Sequence, residues 1–338
     1  MAQANDISQQ PFEVLPAVDG AVAGPVRSPR NIEQSLPNSI HNDAVAQKLG
    51  LRGGTVAGSL HMEQFPPLLV SVFGPEWWSD GGLSLYFKYA TTDREAVQCF
   101  AKPPDSAVPG VQTSVWMDTE DGRLVAEGTA WTGRTQAPTP LSERAANVPP
   151  PKDLRIFRDF GIGRAMEGIP VRIDEAALAR RLDVIVEPLD EYVEPSRYGE
   201  RALPPSMLTH ALTAYHTTML QGWPDLGVGL YGAIEVEHLA GPCFVEHDYE
   251  VRGEVLAVGE TPKTEYIWYE SILSEPSGGV DRARMLMMLR FMKDSSPAWQ
   301  SNDGDRQATI ERLKASRDGR PYLSVRELIA ARDQGRKP

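Results

Sequence analysis

The sequence predicts an α+β fold of two similar halves, each an antiparallel sheet wrapped around a central helix. The main observation is the order of elements, because a helical run followed by about four strand-like runs occurs twice along the 338 residues. A stretch rich in proline and polar residues at 134–153 separates the two blocks, as a linker would. The length also suits two domains of roughly 150 residues each. Two such halves in one chain would form an internal pseudo-dimer.

The amino-terminal half, residues 11–133, begins its regular structure with a helical run from about 55 to 73. Pro66 and Pro67 are expected to kink or end this helix after Phe65, because proline lacks the backbone donor that a helix interior needs. Four strand-like runs follow, and the first of them alternates Leu83, Leu85, Phe87 and Tyr89 with polar neighbours. These runs are LSLYFKY (83–89), EAVQCFAK (95–102), VQTSVWMD (111–118) and RLVAEGTAWTG (123–133).

The carboxy-terminal half, residues 154–295, repeats this order. Its helix, PPSMLTHALTAYHTTML (204–220), opens with two prolines, which suit a first helical turn. This helix carries His210 and His216, which we interpret as residues of the core or of a tunnel wall. The strand-like runs that follow are GLYGAIEVEHL (229–239), CFVEHDYEVRGEVLAV (243–258), TEYIWYESILS (264–274) and ARMLMMLRFMKD (283–294).

The two ends of the chain are polar. Residues 1–10 are predicted to be disordered, and residues 296–338 form a polar extension with helices near 306–316 and 324–333. No secretory signal and no apolar run of transmembrane length is found, so we expect a cytoplasmic protein without a membrane partner.

Composition excludes several classes of function. The net charge of -12 has no basic block to offset it, which argues against nucleic-acid binding. Cys99 and Cys243 lie in apolar runs, and neither a disulfide framework nor a metal-binding CxxC is present. The G-x-G of DFGIGRAMEG (159–168) has its third glycine misplaced for a dinucleotide site. We therefore expect no cofactor and no metal.

The chemistry is expected in NSIHNDAVAQKLGLRGGTVAGSLHMEQF, residues 38–65. Asp43 suits the N-cap of a short helix that ends at Gly50, which places His41 on a loop just outside the helix start. Arg52 precedes Gly53 and Gly54, which permit a tight bend and a close backbone approach.

Gly58 lies in the first turns of the next helix. Backbone amides there have no intrahelical acceptor and lie at the positive end of the helix dipole, so they suit a developing oxyanion.

This stretch resembles the MaoC-like (R)-specific enoyl-CoA hydratase/dehydratase family, whose motif is D-x-N-P-[hydrophobic]-H followed about 17 residues later by a helix-opening glycine. Asn38, Ile40, His41 and Gly58 match the motif. The resemblance implies a double hotdog fold over about residues 12–295 and an acyl thioester of coenzyme A or an acyl carrier protein as substrate. It also implies His41 as acid/base, Asn38 as its orienting partner and the Gly58 amide as the oxyanion donor.

The departure from the motif is Leu36, which stands where the family has its aspartate. Hydration needs one group to take a proton from water and another to protonate carbon, so a second group must replace this aspartate. Glu63 and His61 on the central helix are the candidates, and Glu63 is favoured because a carboxylate beside an imidazole would restore the pair. Gly53, Gly54 and Arg52 are the further candidate substrate-binding residues.

The predicted function is reversible hydration or dehydration of a β-hydroxyacyl or 2-enoyl thioester. Alternatives left open are a thioesterase that uses Glu63, a non-catalytic acyl-binding protein, and an unusual elimination, isomerisation or cyclisation on another substrate. The sequence also leaves open a homodimer formed through sheet edges.

Overall fold

The computed structural model describes residues 15–16, 20–104, 108–193 and 197–300. Of the described residues, those up to Ala298 belong to one compact unit, and Trp299 and Gln300 belong to a second. The predicted disordered segment 1–10 and the predicted helices near 306–316 and 324–333 lie outside the described residues.

The strands of the described residues form one antiparallel sheet in the order β1-β2-β4-β5-β6-β3-β8-β11-β10-β9-β7. The strands are β1 (Leu15–Pro16), β2 (Val22–Ala23), β3 (Gly82–Phe87), β4 (Val97–Ala101), β5 (Thr113–Thr119), β6 (Leu124–Trp131), β7 (Ala165–Arg172), β8 (Gly229–His238), β9 (Asp248–Glu260), β10 (Thr264–Ser274) and β11 (Asp281–Met292). All eight predicted strands are present, and each half of the chain supplies one side of the sheet.

The two halves join in the middle of the sheet, where β3 pairs with β8. The register aligns Leu83 with Val236 and Leu85 with Ile234, and all four side chains are buried. Hydrogen bonding therefore runs without a break from one half into the other, and the predicted internal pseudo-dimer is confirmed.

The helices are α1 (Asp43–Lys48), α2 (Gly58–Met62), α3 (Pro66–Phe73), α4 (Trp77–Asp80), α5 (Pro140–Ala146), α6 (Glu175–Leu182), α7 (Pro205–Leu212), α8 (Ala214–Met219) and α9 (Pro297–Gln300). The first central helix is interrupted before Pro66, as proline predicts. It begins at Gly58 and not at Thr55, because Thr55 pairs with Thr92 in an isolated β-bridge. The second central helix is divided at Thr213 into α7 and α8.

The core lies where the sheet curves around these central helices. Leu60 and Phe65 of the first half and Leu208 and Tyr215 of the second are all 2% exposed or less. Burying each such side chain stabilises the fold by about 1.5–3 kcal/mol, which explains why the central helices need little propensity of their own. Because α2 contacts α7, the start of each central helix lies at the seam between the halves.

Several described elements were not predicted, among them α5, β7 and α6. Helix α5 lies inside the segment 134–153, where Thr139 caps it and Leu141 and Ala145 pack on the outer face of the sheet. Strand β7 is an edge strand with mostly exposed side chains, and α6 is rich in charge, so neither has the apolar periodicity that sequence reasoning detects.

Candidate active site

A cavity of about 860 Å³ lies between the two halves. The amino-terminal half contributes the loop 33–41, the start of α2 and the end of β3, and the carboxy-terminal half contributes α8, β8 and β11. Of the predicted site residues, this cavity brings together His41, Arg52, Gly58 and His61. A volume of this size accommodates a substrate of drug-like dimensions.

His41 is fixed by the backbone around it. Its Nδ1 lies 2.7 Å from the carbonyl oxygen of Thr55, and because a carbonyl only accepts, Nδ1 carries the hydrogen. In the neutral ring, Nε2 therefore keeps a free lone pair. Asn42 anchors the loop, since its side chain accepts from the amides of Ala44 and Val45 at the start of α1.

The N-cap of α1 therefore lies one residue earlier than predicted. Asn42 is the N-cap, and Asp43 is the first helical residue. The Asp43 side chain instead accepts from the Gly54 amide at 2.7 Å, which ties the bend after α1 to the helix start. Helix α1 ends at Lys48, and Gly50 follows with φ of +81°, as a residue beyond a helix end often does.

Glu33 is the carboxylate beside His41. Its Oε2 lies 3.3 Å from His41 Nε2, and both side chains line the cavity. Sequence reasoning missed this residue because it searched at the family spacing of five residues, whereas Glu33 lies eight residues before the histidine. The usable signal was that Glu33 is the sole acidic residue among the ten that precede His41.

Asn31 and Gly54 hold the His41 backbone in place. The Asn31 side-chain amide donates to the His41 carbonyl at 2.8 Å, and its Oδ1 accepts from the Glu33 amide at 3.2 Å. One buried asparagine thus positions both members of the pair. A Cβ on Gly54 would lie 2.2 Å from the His41 carbonyl oxygen, so only glycine permits this approach.

Gly58 opens α2 on the cavity wall. A Cβ there would lie 2.9 Å from the ring of Phe87, which packs directly on the glycine. His61 lies one turn further along α2 and is 3% exposed. Its Nε2 is 2.9 Å from the Thr91 hydroxyl, and burial lowers the pKa of His61 to about 4. The His61 imidazole is therefore neutral at neutral pH.

Glu63, the favoured catalytic carboxylate, lies outside the cavity lining. It is 4% exposed, and Oε1 accepts from the Ser206 amide at the start of α7. Burial raises the pKa of Glu63 to about 7, and hydrogen bonding to Ser206 and the charge of Arg181 partly oppose this shift. At the seam between the halves, Glu63 therefore binds the start of α7 and does not contact His41.

Asn38, Gly53 and Gly54 also lie outside the cavity lining. Asn38 is exposed in a turn with φ of +56°, a conformation that asparagine tolerates better than most residues. Gly53 is buried, and a Cβ there would lie 3.2 Å from the Asp43 carboxylate. Leu36, by contrast, does line the cavity and is 45% exposed.

The exposed end of the cavity carries three cationic side chains, Arg52, Lys88 and Arg123, which we call the basic rim. The two guanidinium groups lie over the Tyr89 ring, with their carbons 4.8 and 4.9 Å from its centroid. Each cation also lies beside a carboxylate, at distances of 2.5 Å for Arg52 and Glu95, 2.7 Å for Lys88 and Glu127, and 3.5 Å for Arg123 and Asp121.

Two general features of the described residues bear on the site. No three His, Cys, Asp or Glu side chains among them gather as the ligands of a metal ion would. No helix in the same part of the chain has the length and apolar character needed to cross a membrane.

Comparison with solved structures shows the fold. A protein described as a MaoC domain dehydratase from Chloroflexus aurantiacus J-10-fl superposes with a TM-score of 0.54 and 13% identity, over 80% of this chain and 93% of its own. A conserved hypothetical protein from Mycobacterium tuberculosis, described as having a double hotdog fold, gives 0.52 and 12%, over 83% and 96%. The chain has the double hotdog fold.

The double hotdog is the fold of the family that the motif resembles, so the predicted fold class is confirmed. The likeness lies in structure and not in overall sequence. Neither a protein-family model nor a curated protein sequence matches this chain.

Proposed function

We propose that this double hotdog protein is a MaoC-like lyase that adds water to a 2-enoyl thioester, or removes it from a β-hydroxyacyl thioester. The observation that carries the proposal is the pair of Glu33 and His41, 3.3 Å apart in the cavity that Gly58 also lines. A carboxylate and an imidazole are the two positioned groups that hydration of a conjugated double bond requires.

The proposed reaction uses the pair on one water molecule. His41 Nε2 is free to accept a proton, because Nδ1 donates to Thr55. Glu33 and His41 hold the water over C3 of the substrate and take one proton from it as its oxygen bonds to C3. The same pair then returns one proton to C2, so the pair ends the cycle with the protons it began with. The Gly58 amide donates to the thioester oxygen and stabilises the enolate that develops.

The basic rim supports a substrate with a phosphorylated carrier. The exposed end of the cavity is lined by Arg52, Lys88 and Arg123. The phosphates of coenzyme A or of a phosphopantetheine arm would extend out of the cavity at this end, beside these cations. We therefore propose an acyl thioester of such a carrier as the substrate class.

The test uses purified protein with crotonyl-CoA and a longer 2-enoyl-CoA. Loss of absorbance in the enoyl-thioester band without release of free thiol is expected for wild type, and His41→Ala should abolish it. Thiol release would instead identify a thioesterase. Full hydration activity in His41→Ala would overturn the proposal.

A further inference from the structure

The carboxy-terminal half contributes polar side chains to the cavity wall. Its part of the wall includes Leu289 and Phe291, which are 4% and 6% exposed. Tyr231 on β8 and His216 on α8 also line the cavity. A plain hydrocarbon chain would leave both of these hydrogen-bonding side chains without a partner, and each loses water when the cavity is filled.

Tyr231 presents a hydroxyl that has no hydrogen-bond partner among the described residues. The side chain is half-buried, and burial raises its pKa to about 12, with the nearby charge of Glu33 acting in the same direction. The hydroxyl is therefore protonated at neutral pH and able to donate. A polar group in such a position normally has a hydrogen-bond partner, and a molecule bound in the cavity would supply it.

His216 is held in one orientation by Tyr269. Its Nδ1 lies 2.6 Å from the Tyr269 hydroxyl, which is also 2.9 Å from the sulfur of Met287. Because a thioether is a weak acceptor, the hydroxyl donates to Nδ1, and Nε2 then carries the hydrogen of the ring. Burial lowers the pKa of His216 to about 4, so the imidazole is neutral and Nε2–H is a donor.

Two donors therefore lie on the part of the cavity wall that the carboxy-terminal half supplies, whereas the Glu33–His41 pair belongs to the amino-terminal part. We propose that Tyr231 and His216 form a specificity subsite, and that the acyl group of the substrate carries an oxygen acceptor within reach of them. The inference deepens the proposed function and rests on it for the direction of the acyl chain. A hydroxyl or carbonyl oxygen on the chain is the chemical class that these donors recognise.

The experiment compares two saturated thioesters that cannot be hydrated, hexanoyl-CoA and 6-hydroxyhexanoyl-CoA. Calorimetry on the full chain should show tighter binding of the hydroxylated compound to wild type by about five- to ten-fold, the value of one or two neutral hydrogen bonds. Tyr231→Phe should remove most of this preference. The matched control is Tyr266→Phe, which removes a hydroxyl outside the cavity lining and should keep the preference.

Hydration of 2-hexenoyl-CoA is measured on the same preparations, so that the two proposals fail separately. A wild type that prefers the hydroxylated thioester without hydrating 2-hexenoyl-CoA refutes the proposed function and supports the subsite. Equal affinity for the two saturated thioesters overturns the subsite, and so does a preference that survives in Tyr231→Phe. Absence of binding of both thioesters also counts against it.

Discussion

The buried carboxylate of Glu63 makes the stability of the protein depend on pH in a definite direction. Burial at the seam between the halves raises its pKa from 4.5 to about 7. In the unfolded chain the group loses its proton near 4.5, whereas in the folded chain it keeps the proton up to about 7. The folded state therefore binds more protons between these values, and stability falls as pH rises through this window.

The size of the effect follows from the shift. A difference of about 2.5 pKa units at about 1.36 kcal/mol each corresponds to about 3 kcal/mol, fully present below pH 4.5 and lost above pH 7. Glu63→Gln removes the titration and keeps an oxygen for the Ser206 amide. Its free energy of unfolding should therefore rise relative to wild type by about 3 kcal/mol between pH 4.5 and 7.5.

Urea unfolding at several pH values from 4.5 to 8 measures this difference. The exposed carboxylate of Glu143 on α5 offers the matched control, and Glu143→Gln should differ from wild type by a constant amount. A difference between Glu63→Gln and wild type that stays flat with pH would refute the reasoning. A difference that falls as pH rises would show that the carboxylate is stabilised as an anion.

Three further substitutions test the site and the seam. Glu33→Gln should lower kcat for enoyl-thioester hydration by about 10²–10⁴-fold, because one of the two proton-transfer groups is lost. Gly54→Ala should lower kcat/KM by about 10²-fold, since its Cβ would lie 2.2 Å from the His41 carbonyl oxygen and displace the loop that carries His41. Arg284→Met should lower the free energy of unfolding by about 3 kcal/mol, because Glu235, 1% exposed, loses its cationic partner at 2.9 Å.

Each substitution has a control in the same chain. Glu143→Gln should keep wild-type kcat, and Gly161→Ala should keep wild-type kcat/KM because a Cβ there meets no atom within 4 Å. Arg172→Met breaks exposed ion pairs and should cost less than about 1 kcal/mol. Unchanged activity in Gly54→Ala would contradict the role of the close approach, and unchanged stability in Arg284→Met would contradict the role of the buried pair.

Much of the fold could be predicted because its signals are local. The alternation of Leu83, Leu85 and Phe87 indicates a strand whatever that strand pairs with, and Pro66 interrupts a helix in any context. Strand β7 was missed because an edge strand with exposed side chains has no apolar face to detect.

The site was harder to predict because its residues meet through loop geometry. The family spacing identified the position of Leu36 and missed Glu33, which the turn 33–41 brings back to His41. Glu63 was predicted to be the carboxylate beside His41 because it lies on a buried helix. Its carboxylate instead accepts a hydrogen bond from the amide of Ser206, which is 143 residues away in sequence. Contacts across the seam of the pseudo-dimer leave no periodic signal in either half.

The central claim is that Glu33 and His41 act as one unit, and a double-mutant cycle on enoyl-thioester hydration tests it most directly. The rates of Glu33→Gln, His41→Gln and the double variant are compared with wild type. The account predicts a double variant about as slow as the slower single variant, because either loss disables the same proton transfers. Losses that multiply, or a wild-type rate in Glu33→Gln, would contradict it.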